Sequence, residues 1–231
     1  MVDPRAPRPL LPRGPALTGT LQVFAYGSLM VDPPRADALE EVTPAWLTGW
    51  RRAFEKRSLT RGCTEADAPL GPAVEGWTDG RRRVSLCLGV HEVQAGAVRG
   101  ERVHGLLLRW PAAVAREVRT LLDRREGVGD PPRPTDGYTA TVLPIDREEG
   151  TWPGLTYVSR PGPWHAPDLD ETTVAAILLA ATPRVRGERA LGADYLLDTV
   201  AALASRQVVD PGLEALAARV RPVVEAARSG A

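Results

Sequence analysis

The sequence contains almost no lysine, few cysteines and no net charge. Lys56 is the only lysine among 29 basic residues, a bias that we attribute to codon usage rather than to function. The 29 acidic residues bring the formal net charge to +0, so overall charge gives no reason to expect binding to nucleic acid or to an anionic membrane surface. Cys87 lies in an apolar run, where we expect a core residue, and Cys63 lies in a polar loop. Two thiols in a chain of this length do not make a disulfide framework.

Long hydrophobic runs are absent too. No stretch approaches the roughly 18 consecutive apolar residues of a membrane-spanning helix, although hydrophobic residues make up 43% of the chain and can form a sizeable core. Residues 1–20 contain three arginines and five prolines but no continuous apolar segment, so they predict a flexible lead rather than a secretory signal. We therefore expect a cytoplasmic protein with a single domain over residues 21–231.

The common motifs for metals and cofactors are missing as well. The three histidines are not spaced as a helical zinc-binding pair, and no Cys-x-x-Cys occurs. Neither a Gly-x-x-x-x-Gly-Lys nor a Gly-x-Gly-x-x-Gly motif opens a helix, and no Gly-x-Ser-x-Gly elbow is present. The sequence predicts no metal and no cofactor.

Apolar runs and turn signals divide the chain into a strand-rich part and a helical C-terminal third. Strands are predicted from Val23 to the break at Gly27 and over 46–54, 83–90, 101–110, 138–145 and 156–160. A helix is predicted from Pro111 to Gly127, and three more over 170–181, 193–206 and 211–227. This order predicts an α+β domain whose strands close into a small β-barrel with flanking helices.

The stretch over 23–30, Val-Phe-Ala-Tyr-Gly-Ser-Leu-Met, allows two interpretations. It is either an ordinary strand and turn or a binding loop at the mouth of a barrel. Glycine lets a ligand approach the backbone closely, and a sharp turn at Gly27-Ser28 presents N–H groups and a hydroxyl that can hold a carboxylate or phosphate.

Glu126 also has two interpretations. It ends an apolar-faced helix, where the helix dipole disfavours a carboxylate. If the side chain points into an apolar barrel mouth, its pKa rises and it can serve as a base. The alternative is a solvent-facing carboxylate paired with Arg124 or Arg125.

Four groups of residues occur in a fixed order along the chain. They are Tyr26-Gly27-Ser28-Leu29 after an apolar strand, Arg125-Glu126-Gly127 at a helix end, Gly137-Tyr138 before a strand, and the C-terminal segments 157–161 and 191–197 before the final helix. Together they resemble the γ-glutamylcyclotransferase superfamily, most closely its ChaC-like, glutathione-specific branch.

This resemblance implies a small β-barrel that cleaves a γ-glutamyl amide without water, metal or cofactor. The α-amine of the substrate attacks its own γ-carbonyl, 5-oxoproline forms and the amine half leaves. Because nucleophile and electrophile belong to one molecule, the enzyme mainly positions the substrate. The family pattern makes Glu126 the base that takes the amine proton and later returns it to the leaving amine.

The resemblance also implies which residues bind the substrate. Tyr26, Gly27, Ser28 and Leu29 are expected to grip the γ-glutamyl group, with backbone N–H groups on its α-carboxylate. Tyr138 is expected to line the site. Arg51, or its neighbour Arg52, is expected to add positive charge near the carboxylates.

Several functions stay open at this point. The first expectation is cleavage of glutathione, a small-molecule γ-glutamyl substrate, to Cys-Gly and 5-oxoproline. The same chemistry could instead remove a γ-glutamyl protecting group from a biosynthetic amine. A non-catalytic γ-glutamyl-binding regulatory module and an enzyme that releases free glutamate are further alternatives, which product analysis separates. The sequence does not distinguish a monomer from a dimer.

Overall fold

A computed structural model describes residues 19–93, 101–129, 136–166 and 169–229. All but the last two residues of the predicted lead over 1–20 lie outside this part of the chain. So do the predicted turn at 95–100 and the Pro-rich loop at 130–135.

The described chain contains nine strands and four α-helices. The strands are β1 (Leu21–Ala25), β2 (Glu41–Thr48), β3 (Trp50–Ser58), β4 (Thr78–Asp79), β5 (Arg82–Arg83), β6 (Ser85–Glu92), β7 (Arg102–Trp110), β8 (Tyr138–Arg147) and β9 (Gly150–Ser159). The helices are α1 (Ala112–Glu126), α2 (Glu171–Ala180), α3 (Ala193–Ala204) and α4 (Pro211–Ser229).

Five of the strands form a closed barrel in the order β1-β7-β2-β8-β9. Antiparallel pairs make up most of it, and a parallel contact between Val23 and Leu155 joins β9 to β1 and closes the ring. Helix α1 packs on β1 and β7, and four of the five β1 residues are buried, which matches the apolar run from Val23 to Ala25. The predicted α+β barrel is confirmed.

The predicted strand over 46–54 is wrong in one respect, because it is two strands. Gly49 adopts φ +81 between them, a left-handed conformation that glycine adopts without steric cost. Strand β2 pairs with β7 inside the barrel, whereas β3 leaves it and pairs with β6 in a separate two-stranded sheet. The β3 ladder has a bulge between Phe54 and Lys56, an irregularity that redirects the side chains around it.

The last barrel strand is longer than predicted. The sequence predicts a short strand over 156–160, but β9 runs for ten residues and pairs with β8 along its whole length. Pro144 and Pro153 lie opposite each other in this ladder. Opposing residues of an antiparallel ladder alternate between pairs with and without mutual hydrogen bonds. In a pair without them neither residue has to donate to the other, so two opposing prolines can be accommodated there.

The helices begin and end close to the predicted positions. Helix α1 starts after Pro111 and ends at Gly127, whose φ of +66 is typical of a helix C-terminus. Helix α2 begins at Asp170, whose side chain accepts a hydrogen bond from the Thr173 N–H at 2.9 Å. In the described part of the chain, no helix has both the length and the apolar character needed to cross a membrane.

Candidate active site

A cavity of about 400 Å³ lies where β1, the β3–β6 sheet and the C-terminus of α1 meet. All four tyrosines of the chain and its only lysine line this cavity, together with Glu126. These aromatic and charged side chains are Tyr26, Tyr138, Tyr157, Tyr195, Lys56 and Glu126. The chain thus places all of its phenol side chains and its single lysine around one space.

Most of the residues proposed from the sequence line this cavity. They are Tyr26, Gly27, Ser28, Leu29, Glu126 and Tyr138. Residues 26–29 leave β1 and enter a short 3₁₀ turn over Ser28–Met30. A Cβ atom on Gly27 would lie 2.6 Å from the Tyr195 hydroxyl, so glycine is required for the close approach of these two segments.

Arg51 does not line this cavity, and its expected position near the substrate carboxylates stays a prediction. Its Nε atom donates to Nε2 of His91 at 3.0 Å, and both residues line a second cavity of about 330 Å³ next to buried Glu55. Successive side chains of a strand point to opposite faces, and the sequence alone does not show on which face Arg51 lies. Neighbouring Arg52 is buried, pairs with Asp210 and donates to the Tyr26 carbonyl at 2.8 Å. Its charge therefore has a protein partner.

Two tyrosine hydroxyls fix the wall formed by β6. The Tyr138 hydroxyl donates to the Leu88 carbonyl at 2.9 Å, and the Tyr195 hydroxyl lies 3.5 Å from the Leu88 N–H, which donates to it. Burial raises the pKa of both phenols. Both therefore stay neutral at physiological pH, and they shape the site without acting as bases.

The other two tyrosines connect the barrel to helix α1. The Tyr26 hydroxyl donates to the Tyr157 carbonyl, and the Tyr157 hydroxyl donates to Asp123 Oδ1 at 2.8 Å. Asp123 also accepts from Arg119 Nε at 2.8 Å. This chain of contacts fixes the last turn of α1, and with it Glu126, against the barrel.

Glu126 points into the cavity, and its side chain is only 15% exposed. The solvent-facing alternative is therefore not what the structure shows, although Arg125 Nε still lies 3.8 Å from Glu126 Oε1. Burial raises the pKa of Glu126 above its ordinary value, and the positive charges of Arg125, Lys56 and Arg61 oppose that rise. A carboxylate with a raised pKa is a better proton acceptor than an exposed one.

Sequence reasoning missed several residues of the site. From the sequence, the single lysine, Lys56, is explained by codon usage and Cys87 is predicted to be a core residue. Both residues nevertheless line the cavity. Cys87 Sγ lies 3.6 Å from the Tyr138 hydroxyl, and burial raises the pKa of the thiol, which stays protonated. The available signal was compositional: a single lysine in an arginine-rich chain is a candidate for a specific role.

No group of three or more histidine, cysteine, aspartate or glutamate side chains suited to hold a metal ion occurs in the described ranges.

The closed barrel and its flanking helices define the type of fold. The fold is similar to that of a γ-glutamyl cyclotransferase specific to glutathione from yeast. One structure of that protein, selenomethionine-labelled, has a TM-score of 0.66 at 17% sequence identity and covers 89% of this chain and 97% of that chain. A second has a TM-score of 0.61 at 16% identity and covers 89% and 99%. These likenesses show a γ-glutamylcyclotransferase-type fold.

The family follows from the sequence match. A model of the ChaC-like protein family matches residues 21–223. The chain belongs to this family, which confirms the resemblance drawn from its motifs. A comparison with curated proteins gives no match.

Proposed function

We propose that the protein is a γ-glutamylcyclotransferase whose base is Glu126. The observation that carries this proposal is the buried carboxylate at the end of α1, facing a cavity that residues 26–29 also line. Membership of the ChaC-like family and the fold of the yeast cyclotransferase support it.

The proposed reaction needs one proton acceptor and no water. Glu126 takes a proton from the α-ammonium group of the substrate. The free amine attacks the γ-carbonyl, a C–N bond forms and the five-membered ring closes. The ring nitrogen gives up its second proton as the old amide C–N bond breaks. Both protons pass to the leaving amine, the first through Glu126, so the amine departs as an ammonium group and Glu126 is again a carboxylate. The raised pKa of Glu126 suits both transfers, and the reacting groups need only be positioned.

Positive charge at the cavity mouth supports a substrate with an acidic leaving group. Arg61, Arg125 and Arg189 all line the cavity. Burial and the nearby charges of Arg61 and Arg125 lower the pKa of Arg189, so these guanidinium groups crowd one another. A carboxylate on the leaving half would relieve that repulsion. Glutathione, which leaves as Cys-Gly, is therefore the substrate that we propose first, ahead of a neutral biosynthetic amine.

Product analysis tests this proposal. Purified protein is incubated with glutathione, γ-glutamyl amino acids and γ-glutamyl amines, and 5-oxoproline, free glutamate and released amine are quantified. We expect 5-oxoproline in equal amount to the amine. Free glutamate would identify a hydrolase instead, and tight binding of a γ-glutamyl compound without any product would identify a binding module.

The base assignment is tested with one variant and a matched control. Glu126→Gln removes the proton acceptor while preserving shape, and we expect kcat/KM to fall about 10²- to 10⁴-fold. Glu117→Gln makes the same change on the exposed face of α1, where Glu117 pairs only with Arg35, and should leave turnover unchanged. Full activity of Glu126→Gln would show that another group is the base.

A cytoplasmic location stays a prediction from the sequence.

A further inference from the structure

The ammonium group of Lys56 makes no salt bridge to a side chain within the described part of the chain. Its Nζ atom lies 3.2 Å from the centroid of the Tyr138 ring, and no salt bridge to a described carboxylate involves it. Burial lowers the pKa of Lys56, and the negative charge of Glu126 opposes that shift. A partly buried charge without a counterion is costly, which indicates that a ligand supplies the counterion.

The ammonium group occupies a space that two neighbours leave for it. A Cβ atom on Gly137 would lie 1.9 Å from Lys56 Nζ and 2.4 Å from its Cε, so only glycine allows the side chain to reach this position. The Tyr138 ring lies against the ammonium group. The bulge between Phe54 and Lys56 and a backbone bridge from Lys56 to His165 fix the main chain below it. Lys56 is thus positioned by packing, independently of any anion.

Two other cations of the cavity, Arg61 and Arg57, have protein partners. Arg61 donates to the Ala190 carbonyl at 2.8 Å and lies 4.8 Å from the centroid of the Tyr195 ring. Arg57 lies 4.4 Å from the centroid of the Trp77 ring. Lys56 differs from both in having only a ring face and no hydrogen-bond acceptor among the described residues.

We propose that Lys56 binds the α-carboxylate of the γ-glutamyl group, together with the backbone N–H groups of residues 26–29 that the family resemblance assigns to it. This inference rests on the proposed function. The carbon that carries the α-amine also carries the α-carboxylate, so a substrate that presents its amine to Glu126 places its carboxylate close to Glu126 as well. Lys56 and Glu126 face the same cavity and interact electrostatically. We therefore assign Lys56 to the α-carboxylate. Arg61, Arg125 and Arg189, which line the same cavity, are assigned to the carboxylate of the leaving half.

A cycle of two enzymes and two substrates tests the contact. The enzymes are wild type and Lys56→Met, and the substrates are γ-glutamylglycine and its analogue with an α-carboxamide in place of the α-carboxylate. Each change alone should lower kcat/KM about 10- to 100-fold, mainly through KM, since a charge-assisted hydrogen bond is lost. In Lys56→Met, replacing the carboxylate should cost at least about fivefold less than it costs in the wild type, because one of its contacts is already lost. Losses that multiply independently would overturn the proposal.

A second pair of substrates separates the two ends of the ligand. Lys56→Met should lose activity equally on γ-glutamylglycine and on γ-glutamylmethylamide, which has no carboxylate on the leaving half. A loss confined to γ-glutamylglycine would place Lys56 at the leaving group and refute the proposal. Lys56→Gln, which stays polar, repeats the cycle should Lys56→Met fold poorly.

The controls distinguish the failure of this inference from failure of the proposed function. Arg219→Met removes an exposed charge on α4 that pairs with Glu171 at 3.5 Å. This variant should have the wild-type kcat/KM for both substrates. If wild type releases no 5-oxoproline from any γ-glutamyl compound, the proposed function fails and the role of Lys56 fails with it. If wild type is active and the cycle is additive, only the role of Lys56 is wrong.

Discussion

Replacing Gly27 by alanine tests how the loop over 26–29 is positioned. The new Cβ atom would lie 2.6 Å from the Tyr195 hydroxyl, a distance at which one group has to move. The Tyr195 ring cannot yield easily, because it is buried, lies edge-on to Phe54 with centroids 6.1 Å apart and its hydroxyl is near the Leu88 N–H. We therefore expect the variant to lose about 1–3 kcal/mol of unfolding free energy, the usual cost of overpacking a core.

Removing the obstructing hydroxyl should restore much of that loss. Tyr195→Phe alone should cost about 0.5–1.5 kcal/mol, the value of a typical hydrogen bond, and the lower end is expected at a donor–acceptor distance of 3.5 Å. In the double variant Gly27→Ala/Tyr195→Phe, the alanine has more room. The double variant should therefore be more stable than the sum of the single changes predicts, by about 1 kcal/mol or more.

Urea unfolding of the four proteins measures this coupling. Gly187→Ala is a matched control, because its Cβ would meet no atom within 4 Å, and its stability should change by less than about 0.5 kcal/mol. Strictly additive effects of the Gly27 and Tyr195 changes would refute the steric explanation. A loss in Gly187→Ala as large as in Gly27→Ala would show that the effect does not come from the contact with Tyr195, since the backbone entropy of a Gly→Ala change favours the folded state.

Three further predictions concern charge and local structure. Activity should fall as the pH decreases through the raised pKa of Glu126. Lys56→Met should move this acid limb of the pH–rate profile to higher pH, because the charge of Lys56 lowers the pKa of Glu126. An unchanged profile in Lys56→Met would contradict an interaction between Lys56 and Glu126. Arg51→Ala should change kcat/KM by less than twofold, since Arg51 lines the second cavity. A larger loss of kcat/KM would show that Arg51 contributes to substrate binding or catalysis. Asp170→Ala should cost about 1 kcal/mol through loss of the helix cap, and thermal unfolding that matches wild type would show that the cap contributes nothing.

The sequence determined the features that depend on neighbouring residues. Helix α1 ends at Gly127 and α2 begins at Asp170 as predicted, because capping involves only residues a few positions apart. The strand-rich order followed by a helical third predicted the α+β barrel. The motif around Gly27, with Glu126 and Tyr138, correctly indicated the family and one end of its cavity.

The tertiary structure decided which residues share the cavity and which charges have partners. Arg51 and Lys56 belong to the same strand, yet they line different cavities. Gly49 takes β3 out of the barrel, and the Phe54–Lys56 bulge interrupts its regular ladder. The burial of Glu126 likewise comes from the packing of distant segments, and so does the space that Gly137 leaves for Lys56. Composition showed that lysine is rare, but only long-range packing gave the single lysine a position beside the proposed base.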